Sequence, residues 1–265
     1  MELREITVEG RPVRYRVAGS GEPLVLVHGL AGSWRWWSPL FDALTERHRV
    51  HVLDLPRPRH TSGLVEMSVW LSRWLDAAGL DRADVVGHSL GGLLAAELAA
   101  RQPARVGRLA LVAPAGIPCG RSIPGRALPI FEALYDVRSS LHVVAADAMR
   151  AGPLDLARGV AFVWRSDLRG ELGAVRAPTL VVWGEGDRLV PARLAEEWHR
   201  LLPQARVVRL RCGHVPMLEA PGELAVSLLG FLSEQVADDA RDEAGPGVVN
   251  GVRLGRDDDE TAARQ

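Results

Sequence analysis

The sequence predicts an α/β protein whose strands form a mostly parallel sheet. From residue 23 onward, short apolar runs alternate with segments of helical periodicity, the order expected when right-handed crossovers join parallel strands. The run Leu24–Val27 is apolar throughout, as expected of a strand that is covered on both faces. The 265 residues, 47% of them hydrophobic, are sufficient to bury the core of one large domain.

The elements follow in order, and only the first pair breaks the parallel pattern. Residues 3–8 and 13–17 alternate apolar with polar residues around Gly10 and Arg11, which predicts an antiparallel hairpin with one buried face. Six further strands are predicted at residues 23–27, 50–53, 83–86, 109–112, 178–183 and 206–210. Helices are predicted at residues 34–46 (with Ser33 as N-cap), 64–78, 93–100, 192–202 and 223–236.

The strand and helix alternation is interrupted once. Residues 117–177 are rich in proline and glycine at first and then carry short apolar-periodic runs at residues 130–135, 141–149 and 154–164, which predicts a small helical insertion over the sheet. The core is accordingly predicted to comprise residues 1–116 and 178–236. Residues 237–265 have few apolar anchors among many Asp, Arg, Gly and Glu residues, which predicts a disordered tail.

Composition excludes several classes of function. The formal charge of −1, from 32 basic and 33 acidic residues, provides no electrostatic footprint for nucleic acid and favours a small neutral substrate. Every basic residue is arginine, so lysine has no mechanistic role. Without a signal-peptide core or a membrane-length apolar run, we expect no membrane insertion and a cytoplasmic protein. Cys119 and Cys212 are too far apart in sequence for a disulfide framework or a metal-ligand spacing.

The motif with the clearest chemistry is Gly87-His88-Ser89-Leu90-Gly91-Gly92, between an apolar strand end and a helix-forming run. A serine hydroxyl is a weak nucleophile, so an enzyme must expose it at a sharp turn beside a base and N–H donors. We expect Gly87 and Gly91 to lie where strand and helix backbones pass closest, with Ser89 in a strained conformation. Because Gly-x-Ser-x-Gly also occurs in ordinary turns, this motif alone leaves an idle serine possible.

Two further polar residues follow strands, namely Asp187 and His214. The carboxyl ends of parallel strands share one edge of a sheet, so these loops can bring both residues to Ser89. The loop after Val27 is glycine-rich, and its Leu30 N–H is a candidate oxyanion donor. Trp34 belongs to an aromatic cluster that lines a substrate pocket or fills the core.

With these residues in this order, the chain resembles the α/β-hydrolase family, in particular its esterase- and lipase-like members with a serine nucleophile and a small cap. The resemblance rests on His28-Gly29, the serine motif, Gly184–Asp187 with Val190-Pro191, and Gly213-His214. It implies the α/β-hydrolase fold, an eight-stranded, mostly parallel sheet flanked by helices, with residues 117–177 as a helical cap. It also implies Ser89 as nucleophile, Asp187 as acid, His214 as base, and the N–H groups of Leu30 and Leu90 as oxyanion hole.

Neighbouring residues are candidates for the same roles. His88 is a rival base, but its side chain is expected to diverge from Ser89. Asp54 and Glu185 are rival acids. His28, a candidate for substrate binding together with Trp34, would otherwise hydrogen-bond the backbone and shape its loop.

The residues at the matched positions also exclude several activities that occur in this family. Members that open epoxides or remove halide use aspartate where Ser89 stands, and cyanohydrin lyases of this fold need a cap lysine that this chain lacks. Epoxide hydrolases also use cap tyrosines, whereas only Tyr15 and Tyr135 exist here. In the loop at residues 57–62, Arg57 and Arg59 stand where relatives have glycine, which predicts either a cationic rim for acidic or CoA-like substrates or a solvated loop.

The predicted function is therefore hydrolysis of a carboxylic ester, thioester or lactone of a small molecule through an acyl-enzyme, without cofactor or metal. One alternative is cleavage of a carbon–carbon bond in a β-diketone, for which a cap arginine such as Arg126, Arg138 or Arg165 would bind a carboxylate. A second alternative is a hydrolase-fold protein that binds a small molecule without turnover. The natural substrate, hydrolysis as against acyl transfer, and a monomer as against a homodimer stay open.

Overall fold

One sheet organises the computed structural model, which describes residues 1–56, 63–118 and 141–234. Within these residues eight strands form the sheet, in the order β1-β2-β4-β3-β5-β6-β7-β8. The strands are β1 (Glu2–Val8), β2 (Arg11–Ala18), β3 (Glu22–Val27), β4 (His48–Leu53), β5 (Ala83–His88), β6 (Val106–Val112), β7 (Thr179–Gly184) and β8 (Arg206–Leu210). Pairs from β3 to β8 are parallel, while β2 is antiparallel to β1 and β4, so the predicted fold class is confirmed.

Helices lie on both faces of the sheet. In the described residues they are α1 (Phe41–Thr45), α2 (Leu64–Ala77), α3 (Leu90–Arg101), α4 (Leu141–Ala151), α5 (Pro153–Arg165), α6 (Leu194–Leu201), α7 (Pro216–Glu219) and α8 (Pro221–Leu232). Short 3₁₀ segments occur at Trp34–Leu40, Pro103–Arg105 and Leu172–Ala174. No described helix is both long and apolar enough to cross a membrane.

The two faces of the sheet contact separate hydrophobic clusters. Val25 and Val27 point into the cluster beneath α2, α3 and α6, whereas Leu24 and Leu26 point into the cluster beneath α1 and α8. All four side chains are fully buried. Burial of each such side chain stabilises the fold by about 1.5–3 kcal/mol, which is why this strand is apolar at every position.

The region after β3 differs from the prediction of one helix over residues 34–46. The chain forms the 3₁₀ segment Trp34–Leu40 and then the short helix α1. Pro39 lies inside the 3₁₀ segment, and proline cannot donate the backbone hydrogen bond that a continuous α-helix would need there. Ser33 does cap the segment, because its side chain accepts a hydrogen bond from the Arg35 N–H.

Helices α4 and α5 lie between β6 and β7, inside the predicted insertion. They match the runs predicted at residues 141–149 and 154–164. The domain limits, with a cap at residues 117–177, stay a prediction. The run at 130–135, the loop at 57–62 and the tail at 237–265 lie outside the described residues.

Candidate active site

Ser89 lies at a strained turn between β5 and α3. Its backbone has φ 50° and ψ −112°, a conformation that residues other than glycine rarely adopt. A Cβ atom on Gly87 would overlap the carbonyl oxygen of Gly91, and one on Gly91 would overlap the carbonyl of Val27. The predicted close approach is therefore present, and it leaves no space for a side chain at either glycine.

His214 joins Ser89 to Asp187. Its Nε2 lies 3.1 Å from Ser89 Oγ, and its Nδ1 lies 2.7 Å from Asp187 Oδ2. All three residues are buried, with at most 9% of their surface exposed. If Nδ1 carries the proton and donates to Asp187, Nε2 is free to accept the hydrogen bond from the serine hydroxyl.

The Asp187 carboxylate is held on its second oxygen. Oδ1 accepts hydrogen bonds from the N–H groups of Leu189, at 3.0 Å, and Val190, at 2.9 Å. The rival Asp54 instead accepts from the Trp34 N–H at 3.1 Å and pairs with Arg16 at 3.6 Å. The rival Glu185 is exposed. Of the three carboxylates, Asp187 is the one that contacts His214.

The backbone around His214 is held by two side chains that sequence reasoning did not assign. Glu219, on α7, accepts from the N–H groups of Gly213, at 2.5 Å, and Val215, at 2.8 Å. His88 Nε2 donates to the carbonyl oxygen of His214 at 2.9 Å. Burial, reinforced by the neighbouring His214, holds the pKa of His88 well below its usual range, so the ring is neutral. The sequence signal for His88 is its position next to Ser89, which indicates a rival base and not a residue that holds the backbone.

The two candidate oxyanion donors border one cavity. Leu30 and Leu90 both line it, and within the described residues neither N–H group has a protein acceptor. Leu90 is the first residue of the twelve-residue helix α3, whose positive dipole end favours negative charge. Both N–H groups thus lack a described acceptor, as an oxyanion donor requires, and the oxyanion hole itself stays a prediction.

His28 and Trp34, the candidate substrate-binding residues, have other partners. The buried His28 ring donates from Nδ1 to the Gly29 carbonyl at 2.8 Å and accepts at Nε2 from the Leu55 N–H at 3.0 Å. Burial lowers its pKa, so the ring is neutral, and both nitrogens shape the loop. Trp34 stacks on Phe41 at 6.3 Å, with the Arg16 guanidinium 4.1 Å from its ring centre.

The cavity that Leu30 and Leu90 line has a volume of about 240 Å³, and Ser89 and His214 are not among its described lining residues. His28 lines it, whereas Trp34 is absent from its described walls. The walls combine apolar and charged side chains, among them Leu55, Met67, Ala151, Arg35, Arg150, Asp54, Asp147 and Asp155. Nowhere in residues 1–56, 63–118 and 141–234 do three or more His, Cys, Asp or Glu side chains cluster so that they could hold a metal ion.

Comparisons with known proteins agree with the fold described above. A model of the alpha/beta hydrolase family matches residues 24–227. The chain is 32% identical to the dihydrolipoyllysine-residue acetyltransferase component of the acetoin cleaving system of Pseudomonas putida, over 85% of this chain and 68% of that protein. It is also 32% identical to a pimeloyl-[acyl-carrier protein] methyl ester esterase of Aromatoleum aromaticum, over 77% of this chain and 95% of that protein. The crystal structure of a bacterial membrane phospholipase A matches with a TM-score of 0.74 and 28% identity. The match covers 87% of this chain and 85% of the phospholipase chain.

Proposed function

The chain belongs to the alpha/beta hydrolase family, and from this premise we propose that it is a serine hydrolase of small-molecule carboxylic esters, thioesters or lactones. The observation that carries the proposal is the continuous contact from Ser89 Oγ through His214 to Asp187, with distances of 3.1 and 2.7 Å. This arrangement supplies a nucleophile, a base and an orienting carboxylate in one buried chain.

Acylation begins when Ser89 Oγ attacks the carbonyl carbon of the substrate. The new Oγ–C bond forms as the hydroxyl proton moves to His214 Nε2, and the carbonyl oxygen becomes an oxyanion that accepts from the N–H groups of Leu30 and Leu90. Asp187 stabilises the imidazolium and keeps the ring in one orientation. The bond to the leaving group then breaks, and that group takes the proton from Nε2, which leaves an acyl-serine.

In deacylation, water takes the place of Ser89 as the nucleophile that His214 activates. Water gives a proton to His214 Nε2 as its oxygen attacks the acyl carbon, and a second oxyanion forms at the same two N–H groups. When the bond to Oγ breaks, the serine regains its proton and the carboxylic acid leaves. An alcohol, amine or thiol in place of water would give acyl transfer by the same steps.

The relatives support acyl chemistry. The names of the two proteins at 32% identity specify hydrolysis of a methyl ester and transfer of an acetyl group. Both reactions replace a leaving group at a carboxylic acyl carbon, which is the reaction proposed for Ser89.

A fluorophosphonate probe tests the proposal, because it reacts with activated serines whatever the natural substrate. We expect the wild type to be labelled, and Ser89→Ala and His214→Ala to be unlabelled although circular dichroism shows them folded. Ser72→Ala is the matched control, since Ser72 is also a buried serine but bonds Gln102 at 2.8 Å, away from the site. A folded wild type that stays unlabelled would refute the proposal and favour a protein that binds without turnover.

A substrate panel separates acyl hydrolysis from the carbon–carbon alternative. We expect turnover of p-nitrophenyl esters or aryl thioesters, with loss of about 10⁴ to 10⁶ in rate for the two site variants. Turnover of β-diketones without turnover of any ester or thioester would contradict acyl-ester chemistry while retaining the same nucleophile and base.

A further inference from the structure

The inserted helices α4 and α5 both contact the loop at residues 29–36, named the oxyanion loop because it contains Leu30. We infer that these helices hold the oxyanion loop in its catalytic position, and that Asp147 of α4 is the positioning residue of this contact. The inference rests on the proposed function for its catalytic meaning. Asp147 contacts Ser33 and Trp36, and Gly159 of α5 contacts Leu30.

Asp147 is a buried carboxylate that bonds across more than a hundred residues of sequence. It is 4% exposed, and its Oδ2 accepts from Ser33 Oγ at 2.6 Å and from Trp36 Nε1 at 3.2 Å. Its Oδ1 accepts from Arg150 at 2.6 Å, and Arg35 lies 3.7 Å away. A buried carboxylate is stable only when it is paired and hydrogen-bonded, so α4 and the oxyanion loop satisfy each other's polar groups.

Two backbone hydrogen bonds close consecutive turns of the loop, one around Leu30 and one that begins at Ser33. The N–H of Gly32 donates to the Gly29 carbonyl at 3.0 Å, and the N–H of Trp36 donates to the Ser33 carbonyl at 3.1 Å. Ala31, next to Leu30, has φ 57° and so closes a tight turn. Because Leu30 and Ser33 lie in consecutive closed turns, we expect a shift at Ser33 to displace the N–H of Leu30 as well.

Helix α5 makes a second contact that does not involve Asp147. Gly159 faces the side chain of Leu30, and a Cβ atom at residue 159 would overlap the Leu30 methyl group Cδ1 and lie 3.2 Å from Cδ2. The absence of a side chain at Gly159 therefore lets α5 approach the residue whose N–H is the oxyanion donor. The oxyanion loop is thus restrained by α4 through polar contacts at Ser33 and by α5 through an apolar contact at Leu30.

The position of this loop matters because oxyanion donors act over a narrow range. They must lie about 2.7–3.1 Å from the oxyanion, and a misplacement of about 1 Å can cost on the order of 100-fold in rate. The other donor, Leu90, belongs to the elbow turn and is fixed by it. Seating of α4 and α5 therefore completes the oxyanion hole through Leu30 alone.

Asp147→Asn tests the inference with little change in shape. We expect kcat for p-nitrophenyl acetate to fall about 10-fold with KM unchanged within about twofold, because the acetyl group is too small to depend on the helices for binding. A trifluoromethyl ketone, which forms a bound oxyanion, should lose affinity by the same factor. A raised KM with kcat and ketone affinity unchanged would overturn the inference and make Asp147 a residue of substrate binding or folding only.

Asp84→Asn is the matched control. Asp84 is also a buried aspartate bonded to an arginine, Arg108, at 3.0 Å, but it lies near the start of β5, at the opposite end from Ser89. We expect a loss of stability similar to that of Asp147→Asn, with kcat and ketone affinity unchanged. An equal fall in kcat in both variants would overturn the inference, since general destabilisation would then explain both.

Gly159→Ala tests the contact from α5. Alanine should push on Leu30 and lower kcat several-fold, and Leu30→Ala in the same chain should restore it, because the donor is a backbone N–H that alanine retains. Effects that simply add in the double variant would contradict this contact.

Hydrogen–deuterium exchange provides a readout that does not need activity. Asp147→Asn should speed exchange at the amides of residues 32–36, whereas Asp84→Asn should not. If the wild type is unlabelled by the fluorophosphonate probe, the proposed function fails while this exchange result still decides whether α4 holds the loop. Unchanged exchange in Asp147→Asn would overturn the restraint itself.

Discussion

The elbow turn, residues 87–92, and the histidine loop, residues 212–219, position the two partners of the proton transfer by different forces. In the elbow turn, Gly87 and Gly91 permit backbones to pass so closely that Ser89 is forced to φ 50°. In the histidine loop, the side chains of Glu219 and His88 hold the backbone on either side of His214. Steric contact fixes the nucleophile, whereas polar contact fixes the base.

The difference has consequences for how each region fails. A steric restraint is short-ranged, so a single added Cβ atom should disrupt packing and therefore stability. A polar restraint is distributed over several hydrogen bonds of about 1–3 kcal/mol each, so losing one should shift the imidazole and lower the rate without unfolding the chain. Variants of the two regions should accordingly separate into stability defects and rate defects.

The largest effect is expected at Asp187, the polar partner of His214. Asp187→Asn should lower kcat by about 10³- to 10⁴-fold, because an amide does not favour the imidazolium or the required tautomer. Ester hydrolysis by the folded variant measures this. Glu185→Gln, at an exposed position in the same loop, should retain activity. If instead Glu185→Gln loses the activity and Asp187→Asn keeps it, the acid has been wrongly assigned.

In the elbow turn, Gly91→Ala should destabilise the fold by about 3 kcal/mol, since its Cβ atom would overlap the backbone carbonyls of Val27 and His28. Denaturant unfolding measures the change. Gly230→Ala on α8 is the control, because nothing lies within 4 Å of its added Cβ, and helix propensity predicts a gain of about 0.5–1 kcal/mol. Wild-type stability in Gly91→Ala would contradict a steric origin of the turn.

Glu219→Gln breaks the polar restraint selectively. The glutamine amide offers one acceptor where the carboxylate offers two, so either Gly213 or Val215 loses its bond. We expect kcat to fall about 10-fold with unchanged KM and a small change in stability. Glu223→Gln, an exposed position on α8, should have no effect. A stability defect without a rate defect would place Glu219 with the steric restraints.

The smallest effect is expected in the pH dependence of stability. Burial lowers the pKa of His88, and burial with Arg49 and Arg4 lowers the pKa of His51 to about 4, both from about 6.5 in the unfolded chain. The unfolded state therefore binds more protons, so stability is full above pH 6.5 and declines as the pH falls toward 4. His88→Phe and His51→Phe should each make this decline shallower in unfolding measurements.

The two histidine variants should also differ in their catalytic rates. His51 stacks on Tyr15, at 6.1 Å, away from the histidine loop, so His51→Phe should leave kcat unchanged. His88→Phe removes the donor to the His214 carbonyl and should lower kcat about threefold to tenfold. Equal rates in both variants would show that His88 has no part in holding the base.

The features that the sequence predicts are those set by local forces. Hydrophobic run lengths predicted the parallel strands, because a strand covered on both faces must be apolar at each position. They did not predict the 3₁₀ segment at Trp34–Leu40, because the apolar spacing of its tryptophans also fits an α-helix and only the packing around Pro39 distinguishes the two. The part of the insertion at residues 119–140 lies outside the described residues, so its predicted run is untested.

The sequence alone predicts the elbow turn, since glycines two residues on either side of Ser89 are a local steric requirement. It also placed Asp187 and His214 after parallel strands, whose carboxyl ends share one edge. Only the tertiary structure decided that His88 and Glu219 hold His214, that His28 bonds backbone, and that Asp147 reaches Ser33. These contacts join side chains by hydrogen bonds, and such bonds depend on atoms within about 3 Å of each other, a distance that no spacing along the chain specifies.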